Sequence, residues 1–201
     1  DKLEQHYLEG HASYDPGCEY CVRCRGLLDR HTRGEAPEEV EIPTMSMDFC
    51  FLCQKDQGKS MPTLVMRSKP PGYTGEFVCP GKSTRNEAYS DKIVERASAV
   101  VDSLGYKRIG VKSDQEESMK ALQSRVQTRS KTEVVPLNSK KYDSQSNGDA
   151  EKAVQDVEGQ ARTLKLHLEN RIMRTLPPGH PVVHWLVEDA AEVMNRFRKV
   201  N

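Results

Sequence analysis

Apolar residues in the last third of the chain recur with helical spacing, and in the first half they alternate as strands do. From Ala150 through Val154, Val157, Ala161 and Leu164 to Leu168 the steps are four, three, four, three and four residues, one continuous stripe. This predicts a helix from Asp149 to Met173, opened by the polar turn Asn147-Gly148 and carrying Glu151 off the stripe in its first turn. After the break Pro177-Pro178-Gly179 a last helix is expected from Val182 to about Arg198, with Val183, Leu186, Ala190, Val193 or Met194 and Phe197 as core. Trp185, the only Trp, reads as a packing residue.

Upstream, TMSMDFCFL alternates and gathers β-formers, which predicts a strand from Thr44 to Leu52 with Asp48 inside it. Thr63 to Arg67 and Gly75 to Cys79, parted by Pro70-Pro71-Gly72, add two strands and complete an antiparallel meander of three. Asn86 to Leu104 has a helical stripe that stops at Gly105. A short strand from Lys107 to Lys112 then delivers Ser113-Asp114 at its carboxyl end. A helix from Gln115 to Arg129, with Met119, Leu122 and Val126 inward, and a fifth strand from Glu133 to Leu137 follow. Asn138 to Gly148 is polar throughout and reads as a loop.

Composition adjusts this picture. At 201 residues, with 36% hydrophobic and 30% charged residues, the chain fits one domain plus a small appendage with long solvated segments. No apolar run reaches the about 18 residues of a membrane span and no secretory signal opens the sequence, so a soluble, non-secreted protein is expected. The chain starts at Asp1 without Met and stops just past a helical pattern, as a fragment of a longer protein would. Net charge is zero, but residues 55–141 hold 17 Lys and Arg against 10 Asp and Glu, while residues 1–39 hold 5 against 9. A local basic patch suffices for phosphate contacts; solvated helix faces are the alternative. In the polar loop Lys140 and Lys141 suit phosphate and Tyr142 suits stacking on a base or sugar, or the three are simply solvated.

Residues 1–33 concentrate metal-binding chemistry. His6, His11, Cys18 and Cys21 follow the order H-x4-H-x6-C-x2-C, with Cys24 and His31 beyond. Two imidazoles and two thiolates suit tetrahedral Zn²⁺, and so short a polar segment needs metal to fold. His11, Cys18 and Cys21 are the expected ligands, with His6 or His31 as the fourth; disulfides are the competing use of the cysteines. Gly34 to Glu41 reads as an acidic linker. Cys50 shares a strand face with Asp48 and Cys53 takes the opposite one, a poor zinc pair, although a site of four cysteines with Cys18 and Cys21 stays open.

Three acids occupy three contexts: Asp48 in the first strand, Asp114 at the end of the fourth, and Glu151 on the helix after the loop. Each alone reads equally as a solvated acid. Together, if strands one and four are neighbours, they form an oxygen-only set selecting Mg²⁺ or Mn²⁺ and suited to two-metal phosphoryl transfer.

The segments HASYDPGCEYCVRCRG with His31, MSMDFCFL, LGYKRIGVKSDQEESMKAL and SQSNGDAEKAVQ, in this order, resemble a retrotransposon or retroviral integrase, most closely the Copia-type elements. The resemblance covers nearly the whole chain and implies a zinc-binding segment over 1–33, a linker over 34–41 and an RNase H-like α/β catalytic core over 42–201. It implies that Asp48, Asp114 and Glu151 bind Mg²⁺ and catalyse DNA 3'-end processing and strand transfer. It further implies DNA contacts by Lys152, Gln155 and Arg162, DNA and further copies of the chain as partners, and action in the nucleus. From Asp114 to Glu151 there are 36 intervening residues, one more than the D,D-35-E pattern of that family. The first motif is more compact than the retroviral one. An RNase H-type nuclease, or a decayed zinc- and nucleic-acid-binding copy, are the alternatives.

Overall fold

In the computed structural model the described residues are 2–25, 42–51, 62–70, 72–79, 81, 87–114, 116–138, 148–177 and 179–198. The linker 34–41, His31, Cys53, Gln115 and the loop residues Lys140, Lys141 and Tyr142 lie outside them. By contacts the chain divides into two units, one of residues 1–40 with 156–201 and one of residues 41–155.

The 41–155 unit is a five-stranded sheet. Its strands are β1 (Thr44–Phe51), β2 (Pro62–Lys69), β3 (Thr74–Val78), β4 (Arg108–Ser113) and β5 (Glu133–Asn138), in the order β3-β2-β1-β4-β5. β1 pairs antiparallel with β2 and β2 with β3, while β4 runs parallel to β1 and β5 parallel to β4. The β2–β3 hairpin closes through Gly72, whose φ of 87° is open to glycine at no steric cost, and its N–H reaches Ser68 O at 3.0 Å. Strand alternation sorts the two faces. Met45, Met47, Phe49, Leu64, Met66, Phe77, Ile109, Val111 and Val134 form the apolar one. Over it lie α3 (Glu87–Ser103) and α4 (Glu117–Arg129), contributing Val94, Ala97, Val100, Val101, Met119, Leu122 and Val126 to the same core.

α4 also buries Gln123, whose Nε2 donates to Val111 O at 2.7 Å, a polar anchor on β4 that its neighbours' apolar spacing does not announce. Its outer side pairs with α3 through Arg125–Asp91 and Arg129–Glu95, exposed bridges of small energetic weight. Asp102, near the end of α3, accepts the N–H groups of Lys131 and Thr132 at 2.9 and 3.1 Å and fixes the entry to β5. On the second face of the sheet Ser46, Thr63, Val65, Thr74 and Glu76 are all buried. Asp48, in register with Val65 and through it with Glu76, belongs to this face. α5 (Gly148–Ile172) begins in this unit with Ala150 and Ala153 buried.

The other unit holds α1 (Lys2–Leu8), α2 (Glu19–Arg25), the rest of α5 and α6 (Pro181–Phe197). α1 ends in a Schellman motif: Gly10 takes a φ of 61°, its N–H bonds Tyr7 O, and the His11 N–H bonds His6 O, both at 3.1 Å. α6 starts at Pro181 with the His180 ring accepting from Val182 N–H at 3.2 Å. It buries Val187, Ala190, Ala191 and Met194. Trp185 is 77% exposed and Phe197 42%, so neither is a core residue. Of the expected stripe Ala190 and Met194 are buried, joined by Val187 and Ala191, while Val183, Leu186 and Val193 are partly buried. Among the described residues no helix is long and apolar enough to cross a membrane.

Candidate functional site

The Schellman motif explains the H-x4-H spacing. In that motif the residue two past the cap folds back onto the last full helical turn, usually with an apolar contact. Here the two residues brought together are His6 and His11, with ring centroids 4.7 Å apart and nearly perpendicular planes. His11 adopts a φ of 59°, a left-handed conformation costly for a residue with a Cβ and held by its surroundings. The C-x2-C pair comes from the start of α2, with Cys18 preceding the first helical residue and Cys21 one turn on. An Asp15 turn, in which Oδ1 accepts the Gly17 N–H at 2.8 Å, sets that start.

His6, His11, Cys18 and Cys21 are all buried and their ligand atoms lie within 4.8 Å of one another. His11 Nδ1 stands 3.0 Å from His6 Nε2, 3.4 Å from Cys18 Sγ and 3.9 Å from Cys21 Sγ, and His6 Nε2 stands 3.3 Å from Cys21 Sγ. Around a tetrahedral zinc, ordinary bond lengths separate two nitrogens by about 3.3 Å and a nitrogen and a sulfur by about 3.6 Å. The donor set and its spacing therefore fit Zn²⁺ in a closed, structural site. Burial, with His167, His6 and Arg25 nearby, pulls the His11 imidazole down to about 4, so it is neutral near pH 7, as a ligand must be. His6 is lowered too, by burial against the opposing pull of Asp15. Burial pushes the Cys21 thiol up to about 11, a level at which only a cation makes it a thiolate.

Around these four lies a shell supplied by α2 and α5. Arg25 Nη1 donates to His11 O at 2.6 Å and to Gln160 Oε1 at 2.8 Å, while Gln160 Nε2 donates to Gly10 O at 2.5 Å. Both carbonyls of the left-handed pair are thus satisfied. Gly159 makes room for the arginine, since a Cβ there would stand 3.1 Å from Arg25 Cγ. His167 Nδ1 lies 2.8 Å from His11 Nε2. The Tyr20 ring stacks on His167 at 4.9 Å, and Asn170 Nδ2 donates to the Tyr20 hydroxyl. Gln160, Thr163, His167 and Asn170 follow one another at three, four and three residues, a polar stripe at helical spacing. That stripe is the signal that could have marked them, but polar periodicity reads by default as a solvent face. Instead Gln160 and Thr163 are fully buried, whereas Val154, Leu164 and Leu168 of the expected stripe are only partly so.

The acids belong to the sheet unit. The β1–β4 register runs Thr44 with Gly110 through Met47 with Ser113, so its next step sets Asp48 beside Asp114, just past the end of β4. Both are half-buried. Asp48 Oδ1 accepts the Phe49 N–H at 2.7 Å and Asp114 Oδ1 accepts the Glu116 N–H at 3.2 Å. Glu151 is exposed in the first turn of α5. Among the described residues the His and Cys set is the one group of three or more metal-ligating side chains near enough to share an ion; Asp48, Asp114 and Glu151 do not form such a group. Neighbouring Asp149 is engaged by Lys69 Nζ at 2.5 Å. Lys152 and Gln155 are exposed on α5, and Arg162, exposed as well, pairs with Glu158 at 3.4 Å.

The chain is thus a mixed α/β protein with a buried His2Cys2 cluster and two aspartates in register on adjoining parallel strands. Its fold is similar to that of a chain in the cryo-EM structure of the simian T-cell lymphotropic virus intasome in complex with PP2A regulatory subunit B56 gamma. That likeness has a TM-score of 0.57 at 11% identity and spans 92% of this chain but 59% of the other. RNase H1 of the halophilic archaeon Halobacterium salinarum is matched at a TM-score of 0.31 and 15% identity, over 55% of this chain and 92% of that one. No family model matches the sequence, and no curated protein matches it.

Proposed function

We propose that the chain is the zinc-binding and catalytic part of a retroelement integrase, with an RNase H-like core that processes DNA 3' ends and transfers them into target DNA. The observation that carries this reading is the β1–β4 register, which sets Asp48, within β1, beside Asp114, just past the carboxyl end of the parallel strand β4, the end at which open α/β sheets place their ligands. The order of the zinc-type motif and the three acids, and the similarity of fold to the intasome chain, support it. Asp48, Asp114 and Glu151 would hold Mg²⁺ or Mn²⁺, which when bound activates the attacking oxygen and stabilises the leaving one. The chain's own contribution is placement. Backbone N–H groups orient the Asp48 and Asp114 carboxylates, and the Lys69–Asp149 pair occupies the competing acid at the start of α5, so Glu151 is the first-turn acid proposed to join the aspartates on the metal. Lys152 and Gln155, with Lys140, Lys141 and Tyr142 of the preceding loop and Arg162 further along α5, are proposed to meet DNA. Integration then takes place in the nucleus, by an assembly of several copies.

One observation favours a second reading. Glu151 is exposed and does not group with the aspartates, as fits a zinc- and nucleic-acid-binding protein without catalysis. Strand transfer of a labelled donor end with Mn²⁺ distinguishes the two, run on the parent and on Glu151→Gln. Joined product that disappears in the variant supports the integrase. Cleavage of an RNA–DNA hybrid without joining points to an RNase H-type nuclease, and DNA binding without either reaction leaves the second reading.

A further inference from the structure

The geometry points to His167 as the positioning residue of the metal centre: it accepts the His11 Nε2–H and so holds the His11 ring with Nδ1 turned toward the other three ligand atoms. This rests on His6, His11, Cys18 and Cys21 being a metal site. The two nitrogens of His11 have separate tasks. Nδ1 converges with His6 Nε2, Cys18 Sγ and Cys21 Sγ, and Nε2, on the far side of the ring, meets His167 Nδ1 at 2.8 Å. An imidazole that gives one nitrogen to a cation carries its proton on the other and needs an acceptor there, which fixes both tautomer and ring angle.

A carboxylate or a backbone carbonyl usually supplies that acceptor. Here a second imidazole does so, from a helix 156 positions away in the sequence. His167 is itself held. Tyr20 stacks against it at 4.9 Å with planes 26° apart, and Tyr7 packs at 5.0 Å on a tilt. The Tyr20 hydroxyl is in turn bonded by Asn170, one turn on from His167, so the stacking partner and the acceptor are fixed to the same helix. The left-handed backbone of His11 raises the need for such support: a ligand in a strained conformation keeps its orientation only where its surroundings hold it.

Two substitutions separate an acceptor from a packing ring. His167→Phe keeps an aromatic ring for Tyr20 and removes the acceptor, whereas His167→Asn keeps an oxygen acceptor at the same branch of the side chain and removes the ring. Zinc affinity is read by competition with a chromophoric chelator, and ligand geometry by the visible spectrum of the Co²⁺-loaded chain. The expected result is a loss of affinity of about 10- to 100-fold with an altered Co²⁺ spectrum for His167→Phe, and recovery of most of the affinity with the parent's spectrum for His167→Asn. The reverse order, or His167→Phe equal to the parent in both measurements, overturns the proposal. A parent chain that fails to bind one zinc overturns the metal-site reading beneath it, and that result is visible before any variant is made.

Discussion

Gln160 has none of its surface exposed and accepts a hydrogen bond from Arg25 through Oε1 at 2.8 Å, a charged donor and a neutral acceptor closed off together. Gln160→Leu keeps the volume, takes from the guanidinium the acceptor it has beside His11 O, and strands the Gly10 carbonyl. Leaving such groups unsatisfied costs about 1–3 kcal/mol each, more for a charged one. The expected outcome is a fall in unfolding free energy of about 2 kcal/mol or more with the denaturant slope unchanged, measured by urea titration.

Metal removal acts on the same region from its centre. α1 and α2 are seven residues each, too short to persist without tertiary support, and the cluster of Cys18, Tyr20 and Cys21 with Leu3, Tyr7 and Leu166 is their small apolar core. A strong chelator is expected to lower the helical circular dichroism signal and the Tm, and added Zn²⁺ to restore both. Cys21→Ser should reproduce the chelated state and lose the response to zinc.

The aspartate pair makes the opposite kind of test. Two carboxylates side by side repel in the absence of a cation, so Asp114→Asn is expected to raise the Tm of the metal-free chain slightly. The same substitution should abolish both the stabilisation produced by Mg²⁺ and strand transfer. Differential scanning fluorimetry with and without Mg²⁺ reads the first two effects, and the labelled-end assay reads the third.

Glu169 gives a pH dependence. Burial raises its pKa, but the hydrogen bond from Lys165, the Leu176 N–H and the Lys165 charge outweigh that and hold the carboxyl below its ordinary value. A carboxyl depressed in the folded state stabilises fully above the unfolded value of about 4.3 and loses that contribution as pH falls. The parent should therefore exceed Glu169→Gln in stability at pH 6, with the gap closing below pH 4, as measured by urea midpoints across that range.

Trp185 offers a direct optical check on α6. At 77% exposure its indole meets water in the folded chain. Its fluorescence is expected to be red-shifted, readily quenched by iodide, and little changed in wavelength on unfolding.

The sheet and its two covering helices were legible because their burial follows simple periods. Met45, Met47 and Phe49 alternate along β1, and Met119, Leu122 and Val126 recur along α4. The parallel pairing of β1 with β4 is the one expected when a three-stranded meander is followed by a right-handed crossover through a helix. α1 and α2 were not legible as helices, since KLEQHYL and EYCVRCR carry too few apolar residues to show a stripe, and their support comes from ligand side chains and α5. His11, Cys18 and Cys21 were readable from spacing, with His6 one of two candidates for the fourth position. His167, Gln160 and Arg25 were not, because their partners lie far off in the sequence and their polarity disguises burial. Trp185 was misread since a lone large aromatic on an amphipathic helix is ordinarily core.

The grouping of residues 156–201 with residues 1–40 orders events during synthesis. Cys21 completes the ligand set 139 positions before Gln160 is made, which at about 5–20 residues per second is roughly 7 to 28 s. For that interval the nascent chain offers two imidazoles and two thiols without the helix that later encloses them.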